Sequence, residues 1–280
     1  MKDKKILLVL ATVSLLLSSL SRADNTNSIL IDQVSSTSTD NLDLTIEQVG
    51  YDNKIFFSLA HDNNLIDLKQ EGHDQEIGYA DDNLSYGATA WGSGLSWGGD
   101  LDGASNNIKL WQNCTKTTCN ENDIQFHVAG SSNKMWWAQG YIIDSRTDTI
   151  WAKDTAEKGG HKVTIDIHGN NNSVIGQQRN CDTSSCSGHQ ADILIYGNDN
   201  DVFGSQSNDG VKNMYLRINT SGNEVDFLQT GNGAHNATIT LNGSYATDLN
   251  LIQQGNSNQT YSLTQTCATS TGCNVTVTQQ

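Results

Sequence analysis

No proline occurs anywhere in the 280 residues, where average usage near 5% would supply about fourteen. Proline lacks the N–H that a strand ladder needs, so a chain in which nearly every segment pairs on both sides has few places for it. An ordinary helical or mixed domain would not exclude it so completely. Basic residues are also scarce, with 16 Lys and Arg against 31 Asp and Glu and a formal net charge of −15. That balance argues against nucleic acid, whose phosphates demand clustered Lys and Arg, and against anionic lipid surfaces. Beyond the run from Ile6 to Leu17 no segment is apolar enough to span a bilayer. There is no G-x-S-x-G, H-E-x-x-H or Walker pattern. The carboxylates lie scattered through turns, so neither catalysis nor a cofactor is expected.

What the chain does have is repetition. Four copies of N-x-φ-x-φ-x-Q run from Asn133 to Gln139, Asn172 to Gln178, Asn200 to Gln206 and Asn223 to Gln229. Between them lies a second pattern, φ-x-φ-x-[Q/I/L]-x-G. It is visible at Leu44, Ile46, Gln48 and Gly50, at Ile66, Leu68, Gln70 and Gly72, and at Leu249, Leu251, Gln253 and Gly255. Ile165, Ile167 and Gly169, and then Ile193, Ile195 and Gly197, follow the same form. Period-two alternation is a strand signal and the Gly-Asn clusters after each run are turn signals. Ala191, Met214, Ala237 and Tyr261 recur roughly 23 residues apart, the mark of a solenoid whose single repeats cannot bury their own apolar faces. The expected fold is all-β: a β-solenoid of about nine strand-turn-strand coils stacked in register between Leu42 and Gln280.

In such a stack an inward amide sits over its counterpart, and side chains hydrogen-bond in rows while the backbone pairs above and below. The residues expected in these rows are Gln48, Asn53, Gln70, Asn133, Gln139, Asn172, Gln178, Asn200, Gln206, Asn223, Gln229, Gln253, Gln265 and Gln279. Ile167, Ile195, Ile218 and Leu241 read as places where an apolar residue replaces a row glutamine. The last strand, C-N-V-T-V-T-Q-Q, is followed by no helix, proline or Lys cluster, so an open C-terminal edge is expected. His161, His189, Lys212 and His235 each stand two places before the first apolar position of successive coils. They are either a harmless row of polar caps at a corner or a column whose protonation below about pH 6.5 loosens the stack.

The domain reading runs from the N-terminus. Lys2, Lys4 and Lys5 precede the apolar run, and Ser21-Arg22-Ala23 offers small residues for cleavage, so residues 1–23 read as a signal peptide. Removing its four basic residues and one acidic residue leaves 12 against 30. Residues 24–40, Ser/Thr-rich and polar, read as a flexible leader. Residues 41–280 form the solenoid, with insertions near 84–105 and 140–160. Trp91 and Trp97, amid Gly and Asp in the first insertion, are the candidates for sugar or partner contact; the alternative is that they cover an open solenoid flank.

Six cysteines fall in close pairs, Cys114 with Cys119, Cys181 with Cys186 and Cys267 with Cys273. Six can pair in fifteen ways. Each pair sits in a turn longer than its neighbours and the chain reads as exported, so each bridge is assigned within its own loop. Free thiols are the alternative; zinc would need four converging ligands. Acidic turns at Gly197 to Asp201, His61 to Asn64 and Ala80 to Asn83 supply oxygens that would allow weak calcium binding, but Asx turns account for the same residues. No metal ligand set is singled out.

The alternating segments with inward Asn and Gln, the N-x5-Q copies and the Q-x-G triplets at Gln48, Gln70 and Gln253 resemble the curlin repeat of bacterial curli fibre subunits. The resemblance covers about 70% of the chain after residue 23. It implies a secreted Gram-negative protein, exported via the periplasm through a dedicated outer-membrane pore. Such a protein self-associates, with related subunits and a nucleator, into extracellular amyloid for biofilm or surface adhesion. The cysteine pairs, the extra coils and the two insertions depart from that family's tidy repeats. The alternative is a non-polymerising β-solenoid adhesin that binds carbohydrate or another surface through the Trp-containing insertions.

Overall fold

The computed structural model of the protein describes residues 28–34, 43–49, 54–60, 64–72, 75–77, 100–114, 119–143, 150–153, 158–181 and 186–280. Among the described residues all regular elements are strands. One ten-stranded parallel sheet holds β1 (Ser28–Val34), β3 (Lys54–Ala60), β5 (Gln75–Ile77), β6 (Asp100–Asp102), β8 (Asn122–Ala129), β12 (Lys162–His168), β14 (Gln190–Tyr196), β16 (Lys212–Ile218), β18 (His235–Gly243) and β20 (Gln259–Cys267). A nine-stranded sheet faces it, built from β2 (Asp43–Val49), β4 (Leu65–Gly72), β7 (Asn107–Cys114), β9 (Lys134–Gln139), β13 (Ser173–Arg179), β15 (Asp201–Ser207), β17 (Glu224–Thr230), β19 (Thr247–Gln254) and β21 (Cys273–Gln279). The chain alternates between the sheets and each strand pairs in parallel with the one a full coil away, which is a β-solenoid with one rung of the second sheet per coil. Among the described residues no helix is long and apolar enough to cross a membrane.

Period-two alternation places the apolar side chains between the sheets. On β12, Val163, Ile165 and Ile167 are buried, and on β14 Ala191, Ile193 and Ile195 lie directly over them in register. One continuous core results, running from Ile55 to Leu251. Its largest members, Trp137, Phe126 and Phe227, are fully buried, and burying such a side chain contributes about 2–3 kcal/mol. The bulk is matched by absence on the next rung. A Cβ on Gly176 would meet the Trp137 ring at 2.1 Å, and one on Gly204 would meet Phe227 at 2.1 Å. Two facing glycines between two aromatics thus keep the rung spacing constant.

Several features differ from the sequence reading. The φ-x-φ-x-[Q/I/L]-x-G segments are two classes: those ending in Gln48, Gln70 and Gln253 lie in the second sheet with the N-x5-Q copies, while Ile165–Ile167 and Ile193–Ile195 lie in the first. Ile167, Ile195, Ile218 and Leu241 are therefore the apolar inner column of the first sheet, and they replace no row glutamine. Residues 28–34, read as part of the leader, form β1 and pair with all seven residues of β3, as the alternation in S-I-L-I-D-Q-V permits.

The insertions also have sharper limits. β5 pairs with Lys54–Ile55 and β6 with Ser58–Ala60, and both pair with β8. Together they make one rung; residues 78–99, with Trp91 and Trp97, lie outside the described residues. In the second insertion β10 (Tyr141–Ile143) pairs antiparallel with β11 (Ile150–Lys153). β10 packs on a small outer cluster of Trp136, Ala138 and Ile175, with Trp111 and Phe203 alongside. Tyr141 meets Trp111 edge to face at 5.5 Å, and its hydroxyl donates to Glu71, which Lys153 also pairs with.

The three bridges form within their own loops, Cys114–Cys119, Cys181–Cys186 and Cys267–Cys273, with Cα atoms 6.0, 5.4 and 5.7 Å apart. Loops this short give about 2 kcal/mol each by the chain-entropy relation. Reduction is expected to lower the urea midpoint while leaving the β-sheet circular dichroism intact at low urea. Collapse of that signal on reduction alone would show that the bridges hold the fold.

Candidate functional site: amide rows and the terminal rung

The N-x5-Q spacing puts the first and last residues of each second-sheet segment on the inner side, one at each corner of the coil. Among the described residues the glutamines form a single unbroken row of nine. Each Nε2 donates to the Oε1 of the next coil: Gln48 to Gln70 at 3.1 Å, Gln70 to Gln112 at 2.9 Å, Gln112 to Gln139 at 2.9 Å and Gln139 to Gln178 at 2.9 Å. The row continues from Gln178 to Gln206, Gln206 to Gln229 and Gln229 to Gln253 at 2.8 Å each, then Gln253 to Gln279 at 2.7 Å. The amides also donate across the coil to first-sheet carbonyls, as Gln178 does to Lys162, Gln206 to Gln190 and Gln279 to Thr260. The buried donors are thereby satisfied without water.

At the other corner the asparagines run Asn64, Asn106, Asn133, Asn172, Asn200, Asn223. Each Oδ1 accepts the backbone N–H of the next member, as in Asn172 to Asn133 at 2.9 Å and Asn223 to Asn200 at 3.0 Å. From Asn133 onward each Nδ2 also donates back to the preceding Oδ1. The row closes at Thr247, whose N–H is taken by Asn223 while its Oγ1 is buried without a partner, and Cys273 stands beyond it.

Of the residues expected in the rows, Gln265 stands elsewhere: it continues the apolar column of the first sheet after Leu241 and is half-buried. Asn53 lies outside the described residues. Gln112, Asn64 and Asn106 belong to the rows and were not singled out, although Asn64–Gln70 and Asn106–Gln112 carry the same six-residue spacing. The acidic turn at Gly197 to Asp201 is bonded to the matching turn of the coil before it. Asn198 Oδ1 accepts from Asn170 and Asp199 Oδ1 from the Asn171 amide, so Asx columns account for its composition.

A third inner column, Gln75, Asn122, His161, His189, Lys212, His235 and Gln259, lines the entry to the first-sheet strands, and all seven are buried. These residues are interior to the corner. The backbone N–H of His161 is accepted by Asn122 Oδ1, that of His189 by His161 Nδ1 at 3.0 Å and that of Lys212 by His189 Nδ1 at 3.3 Å. An Nδ1 that accepts carries no proton, so His161 and His189 are neutral here. Burial, with the Lys212 ammonium behind it, holds His189 well below the usual imidazole range, and burial also lowers His235. The Lys212 ammonium is held by the carbonyls of Asp209, Gly210 and Gly231 at 2.6–2.9 Å, and burial pushes it down to about 8.

The rows reach the last coil, where the core becomes accessible. Tyr261 and Leu263 on β20 and Val275 and Val277 on β21 pack on the core yet remain only partly buried. Among the described residues no strand pairs with the far side of β20 or β21. Comparison with protein-family models, curated proteins and solved structures finds no match.

Proposed function

We propose that this chain is a structural subunit that associates end to end with its own kind through its terminal rungs, forming a secreted, curlin-like fibre. The observation that supports it best is the last coil. Gln279 extends a nine-membered amide row to a face where Tyr261, Leu263, Val275 and Val277 are half-covered. A strand edge with an apolar interior beside it is a template for another strand. Outward Glu224, Asp226 and Asp248 carry charge along the flank of the second sheet, which disfavours sideways growth. Three intramolecular bridges suit an oxidising compartment and so support export.

The purified protein is expected to form unbranched fibrils with a meridional spacing of about 4.8 Å. Val277→Lys, which sets a charge on the stacking face, should abolish elongation while leaving the monomer's far-UV spectrum unchanged. Wild-type protein that stays monomeric for days at high concentration would overturn the proposal, and glycan binding by such a monomer would favour the adhesin alternative.

A further inference from the structure

On the outer face of the first sheet, β8 and β12 pair so that His127 lies directly beside Asp166. His168 follows two residues later on the same face. The His127 Nδ1 is 2.8 Å from Asp166 Oδ1, and the His168 Nε2 is 3.0 Å from that same oxygen. All three atoms lie within 4.8 Å of one another. Asp166 points away from the core yet is only 2% exposed, and Leu194, beside it on β14, is equally covered. The His168 ring is fixed on its other side by Tyr196, stacked at 4.6 Å and 10°. It meets His127 edge to face at 4.9 Å. None of the amide rows uses these residues.

We propose that His127, Asp166 and His168 form a binding site for one divalent transition-metal ion of the zinc type, with the remaining coordination left to solvent or an added ligand. Two imidazole nitrogens and a carboxylate oxygen are a ligand set for zinc and its first-row neighbours and a poor one for calcium, which takes oxygen. Tetrahedral metal–ligand bonds of about 2.0–2.2 Å place neighbouring donor atoms roughly 3.4 Å apart, a few tenths of an ångström beyond the 2.8 and 3.0 Å that separate Asp166 Oδ1 from the two imidazole nitrogens. Parallel register supplies the geometry, because it sets side chains of adjacent strands side by side at the strand spacing. Asp166 Oδ1 already faces both imidazole nitrogens, so the one carboxylate oxygen and the two rings converge on the same point. On binding, each neutral imidazole shifts its proton to the other ring nitrogen, and an imidazolium gives one up to solvent.

The test is calorimetric titration of the full chain, bridges intact, with zinc chloride at pH 7.5, alongside the visible absorption of added cobalt(II). One equivalent is expected to bind, with no competition from calcium. Asp166→Asn, His168→Gln and His127→Gln should each weaken it by at least about tenfold, a loss seen even when only a supporting partner of a metal ligand is removed. Binding should also weaken at pH 5, since metal and protons compete for the same nitrogens. If wild type takes up no zinc, or if folded variants bind it as wild type does, the site is a proton-bridged cluster only and the proposal falls. The three variants lie on two strands, so unfolding of one leaves the others to decide.

Discussion

Replacing Gln178 with leucine is expected to cost about 3–5 kcal/mol of stability, read as a fall in urea midpoint at unchanged slope. Leucine fits the space, so the loss is one of hydrogen bonds. Gln178 accepts from Gln139 and from the Trp137 indole, and donates to Gln206, Lys162 and His189. Removing it orphans the Trp137 indole N–H, one hydrogen of the Gln139 amide and the Gln206 acceptor, three groups on fully buried side chains, at roughly 1–3 kcal/mol each. The same change at Gln279, on the half-open last coil, should cost well under 1 kcal/mol because solvent replaces the lost partners. Equal losses at the two positions would mean that side-chain volume, and not the amide row, sets the stability.

Acid is expected to destabilise the protein from about pH 7 downward through the histidines of the inner column. His189 and His235 have folded values depressed below their ordinary 6.5. Below pH 6.5 the unfolded chain therefore takes up protons that the folded chain refuses. Their contribution is present above that pH and is lost as pH falls, with a limiting slope on the order of 1 kcal/mol per pH unit for each group. His168 acts oppositely: its hydrogen bond to Asp166 raises it, so its contribution is present below 6.5 and disappears as pH rises through its raised value. On the alkaline side Lys212 adds stability between about 8 and 10.5, where only the unfolded chain keeps the proton. His189→Asn with His235→Asn separates these effects, since Asn122 already fills the same column and accepts the same kind of backbone N–H. The double variant should flatten thermal midpoint against pH between 5 and 7; an unchanged slope would clear the column of responsibility.

The stack itself was legible because its signal is local. N-x5-Q with apolar residues at the second and fourth places states which side chains face inward, and the spacing of Ala191, Met214 and Ala237 matches the rungs they occupy. The separation into two sheets was not legible. Ile167 and Gln178 end equally regular alternations, and only the pairing of β12 with β14 and of β13 with β15 shows that one column is apolar and the other amide. The outer cluster left no trace either. His127 and Asp166 are 39 residues apart, and their meeting depends on the lengths of everything between, including the β10–β11 hairpin. His161, His189, Lys212 and His235 did align in the sequence, but their burial depends on how the chain turns into the first sheet, which hydropathy cannot report.

The glutamine row has a direction. Each amide gives its hydrogen toward the C-terminal coils and offers its oxygen toward the N-terminal ones, whereas the asparagine row runs the opposite way and closes at Thr247. At the C-terminal face the long row therefore presents a donor on Gln279, and at the N-terminal coil an acceptor on Gln48. Like faces brought together would set hydrogen against hydrogen or oxygen against oxygen, while unlike faces continue the chain of bonds. Any filament built from these molecules would have two distinguishable tips, and a seed capped at one of them would still lengthen at the other.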